Sequence, residues 1–221
     1  MPRLKLVIAN KNYSSWSMRP WVLLRAAQIP FEEIPLKFDP EVRVVGIERY
    51  SPTRKVPLLL VDDEPVWDSL AIGETLAELF PGKRLWPQDA RARQVARSVC
   101  AEMHSGFQAL RSAMPMNIRA SHPGKGMNPD SRRDIERVIS IWQSCRERFG
   151  SGGAMLCGDF SVADAFFAPV AMRFMTYAVA LPPAAQAYAD ALRALPAVRE
   201  WMHAARRETE FVAGDEPYAS A

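Results

Sequence analysis

Cysteine is scarce in this chain of 221 residues: three are present, Cys100, Cys145 and Cys157. They are too few and too scattered for a disulfide framework, and no C-x-x-C pair occurs. None precedes residue 100, so dithiol redox chemistry is excluded from the N-terminal region. Histidine is equally sparse: His104, His122 and His203 show no ligand spacing, no H-E-x-x-H is present, and no metal site is expected. A G-x-S-x-G elbow is also missing, which argues against a hydrolase nucleophile. No apolar run approaches the roughly 20 residues that cross a bilayer. Residues 1–10 hold too short an apolar stretch for a secretory leader and lack a cleavage pattern. They read as a strand, and a cytoplasmic protein with no membrane partner is expected. Charge of one sign is lacking too. Lys and Arg number 28 against 25 Asp and Glu, leaving +3, and the two signs interleave. Solvated helix faces explain them, and nucleic-acid binding is not expected.

What is present is apolar: 48% of residues are hydrophobic, enough for one large core or two small ones. The chain is organised around residues 55–69. Residues 56–61 form a continuous apolar run, the pattern of a strand buried on both faces. Asp62, Asp63, Glu64 and Pro65 read as a turn, and Val66 and Trp67 as a returning strand. Asp68 and Ser69 stand where a helix starts, with Leu70, Ile72, Leu76 and Leu79 among its apolar positions. Pro57 cannot donate to a ladder and belongs at a strand's first residue or at an edge. Locally, an ordinary trans proline is the commoner arrangement.

Upstream, residues 4–9 read as a strand. A polar loop then leads to a helix that Ser15 or Ser17 caps and whose first turn takes Pro20. Residues 31–38 alternate as a second strand, and residues 41–50 read as a short helix or loop. From residue 89 onward no convincing strand remains. Helical periodicity runs over 89–113, 131–149, 161–179, 184–195 and 197–207. Residues 114–130, rich in Pro, Gly and Asn, read as a mobile connection. The last fourteen or so residues read as a loosely packed tail. The expectation is a mixed-sheet α/β domain over residues 1–82, a linker over 83–88, and an all-helical domain over 89–221.

Four groupings stand out. Ser14 and Ser15 sit at a strand-to-helix corner, where they are helix caps or donors to a bound anion. A hydroxyl and a helix N-terminus together favour a thiolate. Lowering a thiol pKa by two units requires about 2.7 kcal/mol, within reach of one charge-assisted hydrogen bond and a helix dipole. Asp68-Ser69 is an N-cap that also suits a zwitterion: exposed N–H groups and the Ser69 hydroxyl for a carboxylate, and Asp68 for an ammonium. Ser161 and Asp164, after Gly158, read as a structural capping box. His104 and Arg111 share a helix face and either line a cleft or form a polar stripe.

The serine corner before Arg19, Val56-Pro57, Asp68-Ser69 and the Gly158–Ser161–Asp164 box occur in the order found in glutathione S-transferases. The chain resembles that superfamily over nearly its whole length. The resemblance implies a thioredoxin-like N-terminal domain binding glutathione as co-substrate, a helical domain shaping an electrophile site, and a homodimer. It implies a cis Pro57, with Val56 pairing by backbone to the cysteinyl part of glutathione. Ser69 would hold the γ-glutamyl carboxylate and Asp68, where Glu is usual, the ammonium. Lys55 or Lys37 would meet the glycine carboxylate. The Ser-Ser-x-Ser-x-Arg run at 14–19 is most similar to the zeta class, which includes maleylacetoacetate isomerases. There the catalytic hydroxyl is Ser15 or Ser14, with Trp16 standing where that class has cysteine. Trp16, Met103, His104, Phe107 and Arg111 would line the site of a small hydrophobic electrophile. The implied reaction is addition of the glutathione thiolate to that electrophile. The alternatives are isomerisation with glutathione returned, or a non-catalytic binding protein of this fold.

Overall fold

The computed structural model describes residues 2–41 and 43–219. The chain opens with β1 (Leu4–Ile8), α1 (Ser15–Ala26) and β2 (Glu32–Pro35), then two short strands, β3 (Lys37–Phe38) and β4 (Val44–Val45). β5 (Leu58–Val61), β6 (Glu64–Trp67) and α2 (Ser69–Leu79) complete the first domain. One sheet has the order β2-β1-β5-β6, with β1 parallel to β2 and antiparallel to β5. Of the two central strands, β5 is a continuous apolar run and β1 is interrupted only by Lys5, and Leu6, Val7, Leu58 and Leu59 are fully enclosed. β3 and β4 pair with each other as a separate ribbon, so residues 31–38 are not the single strand their alternation predicts.

The β5–β6 turn is shorter than expected. Only Asp62 (φ 50) and Asp63 (φ 71) lie outside the ladder, both left-handed as a two-residue hairpin requires. Glu64 and Pro65 belong to β6, an edge strand that tolerates proline because one side needs no donor.

Six helices follow among the described residues: α3 (Ala90–Ser105), α4 (Gln108–Ala113), α5 (Pro129–Phe149), α6 (Val162–Thr176), α7 (Pro183–Ala194) and α8 (Pro196–Arg207). The helix expected over 89–113 breaks at Gly106-Phe107, where Phe107 is left-handed (φ 62). α6 is the axis of this domain, buried on all sides, which its apolar composition foreshadows. Its start is held by Asp164, which accepts from the backbone N–H of Ser161 and of Leu156, both at 2.9 Å, and from the Tyr188 hydroxyl at 3.1 Å. One apolar core joins α1 and α2 to α3, α5 and α6, so the two domains share an interior.

Two segments are more ordered than composition predicts. In the 114–128 connection, Met114, Met116 and Ile118 are buried. Asn12 donates to Asn117 Oδ1 at 2.8 Å, and the His122 N–H donates to Thr176 O at 2.8 Å. These anchors tie the connection down. The C-terminal residues after 207 also wrap back onto the first domain. Glu208 accepts from the N–H groups of Lys11 (2.7 Å) and Asn12 (2.9 Å), and Val212 is buried. No helix among the described residues is long and apolar enough to cross a membrane.

Candidate active site

A cavity of about 1040 Å³ opens between the sheet domain and the helices. The β1–α1 corner supplies Tyr13, Ser14, Ser15 and Trp16 to its wall, and the 54–57 and 67–69 segments supply the facing side. The helical domain adds His104, Arg111, Met116 and Arg173, and the C-terminal segment adds Asp215.

The corner is built by capping. α1 begins at Ser15, one residue earlier than a Ser15 cap allows, so Ser14 is the N-cap rather than Ser15 or Ser17. Ser14 Oγ accepts from the Ser17 N–H at 3.3 Å and donates to Ser17 Oγ at 2.7 Å. Ser17 Oγ in turn accepts from the Ala9 N–H at 3.2 Å. Pro20 consequently falls in the second turn, where it donates no bond to Trp16 O. Ser15 is placed differently. Its hydroxyl lies at the N-terminus of α1, lines the cavity, and accepts from Arg173 Nη2 at 3.3 Å.

Asp68 and Ser69 start α2 on the opposite wall. Asp68 is left-handed (φ 54), a conformation costly for a residue with a Cβ and sustained by its contacts. Oδ1 accepts from the Leu70 N–H at 2.9 Å, and Oδ2 lies 2.6 Å from His104 Nε2. Ser69 is buried and accepts from Arg19 Nη1 at 3.4 Å. Arg19 is only 1% exposed, and its Nε has no hydrogen-bond partner among the described residues. Its guanidinium lies 4.1 Å from the Trp16 ring centroid and 4.8 Å from that of Phe166.

The Val56–Pro57 bond is cis, unlike the commoner local arrangement. Lys55, Val56 and Pro57 all line the cavity. No described residue hydrogen-bonds the backbone N–H or C=O of Val56. Three sequence-predicted residues stand elsewhere. Lys37 is ion-paired with Glu210 at 2.6 Å and does not line the cavity. Met103 and Phe107 point into the core, because the break after α3 turns Phe107 inward.

The residues that sequence reasoning missed come from distant chain positions. Arg173 lies in the last turn of α6 and is 5% exposed, and Asp215 follows the last long helix. An arginine amid the apolar run 165–175 was the available signal for the first, while Asp215 had none. Burial, with repulsion from Arg111, pulls Arg173 down to about 9. Burial pulls Arg111 down to about 10. Both remain cationic at neutral pH. Burial pushes the Asp215 carboxyl up to about 6, against the pull of Arg173. The cavity therefore offers a hydroxyl at a helix N-terminus, a carboxylate and buried hydroxyl at a second helix start, and two guanidiniums between them. That set can hold a zwitterion on one wall and stabilise an anion at the corner.

Residues 13–79 match the family model for the glutathione S-transferase N-terminal domain, and residues 88–204 match that for the C-terminal domain. A probable maleylacetoacetate isomerase of Caenorhabditis elegans is 30% identical over 171 residues, covering 77% of this chain and 79% of that protein. The maleylacetoacetate isomerase of Rattus norvegicus is 26% identical over 174 residues, covering 77% and 78% respectively. A crystal structure of a glutathione transferase homologue from Burkholderia GL BGR1, with bound glutathione, superposes with a TM-score of 0.72. It is 22% identical and covers 93% of this chain and 100% of that one, a likeness of fold.

Proposed function

The chain belongs to the glutathione S-transferase family, with zeta-like affinity, and from that premise we propose that it binds glutathione in the interdomain cavity and adds the thiolate to a small electrophile. The observation that carries this reading is the pairing of Asp68-Ser69 on one wall with Ser15 on the other. Asp68 takes the γ-glutamyl ammonium, and Ser69 with the first N–H groups of α2 takes its carboxylate. The unpartnered backbone groups of Val56 meet the cysteinyl peptide. Sulfur then lies at the N-terminus of α1, where Ser15 donates to it. Ser14 is the weaker candidate, since its proton is spent on Ser17. Lys55 serves the glycine carboxylate. Trp16, Met116 and His104 give the second-substrate side an apolar and aromatic surface, while Arg111 and Arg173 suit an electrophile that bears a carboxylate.

A second reading keeps the same thiolate but returns glutathione at the end of the cycle. It is favoured by the relatives named maleylacetoacetate isomerase. Both readings are of a homodimer in the cytoplasm. Titration calorimetry with reduced glutathione, followed by thiolate absorbance of the complex across pH, tests the common core. Binding with a thiol pKa below that of free glutathione supports it, and no binding at millimolar glutathione overturns it. Product analysis separates the two readings by whether glutathione is consumed.

A further inference from the structure

Arg173 has more in its setting than anion binding explains. Its hydrogen bonds among the described residues go from Nε to Met114 O at 2.9 Å and from Nη2 to Ser15 Oγ at 3.3 Å. Neither partner is a carboxylate. Of the charges that act on it, Arg111 and Arg19 repel and Asp215 attracts. Burying a cation without a close ion-pair partner is destabilising, and an apolar residue would suit this run of α6 better. Its place in the last turn of α6, where carbonyls point outward, offsets part of that cost.

The direction of the Ser15 contact is fixed by chemistry. A guanidinium has N–H donors and no acceptor, so Ser15 Oγ must accept. One lone pair is then occupied and the hydroxyl proton is unspent. Ser14, one residue earlier, has the opposite bookkeeping: its proton goes to Ser17 Oγ. The bond from Nε to Met114 O fixes the plane of the guanidinium, and α6 is buried within the core. Resting on the glutathione reading above, we propose that Arg173 is the positioning residue of the reacting centre. It holds the Ser15 hydroxyl with its proton toward the cavity and strengthens that hydroxyl as a donor to the glutathione sulfur. The thiol proton leaves to water, the sulfur keeps the electron pair, and the Ser15 O–H donates to the resulting anion. A charge one hydrogen bond behind the donor polarises it further in this buried corner.

The test is a double-mutant cycle read by the pKa of bound glutathione thiol, from thiolate absorbance, with affinity from calorimetry. Arg173→Gln is expected to raise that pKa by about one unit, roughly a tenfold loss of thiolate at neutral pH. Ser15→Ala raises it as much or more, and the double variant goes no further than Ser15→Ala alone. Glutathione affinity stays within about threefold throughout, because the γ-glutamyl wall is untouched. If Arg173→Gln does not fold, Arg173→Lys carries the same cycle: a smaller rise, absent in the Ser15→Ala background. Shifts that add in the double variant would show that Arg173 acts as a bare charge and overturn the proposal. So would an Arg173 variant with the wild-type thiol pKa, while the serine assignment would stand if Ser15→Ala still raised it. A Ser15→Ala variant with no shift overturns both together.

Discussion

His104 Nε2 lies 2.6 Å from Asp68 Oδ2, a contact made by the helical domain on the first residue before α2. The imidazole also meets the edge of the Trp16 ring, with centroids 5.3 Å apart. The carboxylate assigned to the ammonium of glutathione is thus oriented from both domains. One oxygen serves the helix cap and the other faces the imidazole.

Asp68→Asn separates those duties. Asn caps a helix as well as Asp does, so the Leu70 bond survives and the charge does not. Loss of a hydrogen bond to a charged group is worth about 1.5–3 kcal/mol, so glutathione affinity is expected to fall about tenfold or more. Thermal unfolding should shift by no more than a few degrees, on the order expected for under 1 kcal/mol. Calorimetry giving an unchanged dissociation constant would remove Asp68 from the site.

The two serines at the corner are predicted to fail in different ways. Ser15→Ala lowers kcat/KM by about 10²-fold, the scale of one lost donor to a developing anion. Ser14→Ala loses the α1 cap and costs about 1 kcal/mol in urea unfolding. Its activity falls less, through the corner's geometry. Steady-state kinetics and denaturation on both variants decide this, and the reverse pattern would exchange their roles.

Asp215 makes stability depend on pH in a defined direction. Its folded value, pushed up to about 6 chiefly by burial, lies above the unfolded value near 4. The folded state therefore holds the proton more tightly. The stability this contributes is full below about pH 4 and is lost as pH rises through about 6. Asp215→Asn cannot lose it. The variant should gain on the wild type between pH 4 and pH 6 and keep a constant advantage above. Urea unfolding at four pH values measures the gap, and a flat difference would refute the placement of Asp215 against the cavity wall.

Glu208 is predicted to act at a distance. Its carboxylate satisfies two backbone N–H groups at Lys11 and Asn12, just ahead of the serine corner. Glu208→Ala leaves both without that acceptor at a cost of about 1–3 kcal/mol and loosens the loop that sets Ser14 and Ser15. The thiol pKa of bound glutathione should rise modestly and thermal stability should fall. An unaltered melting curve would show that the segment after α8 does not brace the corner.

The parts of this molecule legible in sequence are those fixed by short-range patterns. The apolar run at 56–61 gave β5, the acidic cluster after it the hairpin, though not its length, and Ser161 with Asp164 the start of α6. Family resemblance supplied the cis Pro57 that local preference argued against. What the sequence hid were contacts over long separations. Gly and Pro in the 114–128 connection outweighed Met114, Met116 and Ile118, whose burial is visible only once α6 is in place. Gly126 there is left-handed, and a Cβ would fall 2.2 Å from Ala113 O, so its glycine marks close packing rather than mobility. Lys37 reads as a free cation until Glu210, far along the chain, is brought to it. Arg173 and Asp215 reach the cavity by the same folding-back.

The clasp between Glu208 and the loop before α1 joins positions 197 residues apart. During synthesis the sheet domain emerges long before the segment that completes its corner. A ribosome-bound chain exposing only β1 to α2 carries Asp68 and Ser69 but neither Arg173, Asp215 nor the clasp. The pocket is thus assembled in the order of translation, and competence arrives late. Under the proposed reading, a chain trimmed just ahead of residue 208 loses the clasp and is expected to activate the bound thiol less well than the whole chain.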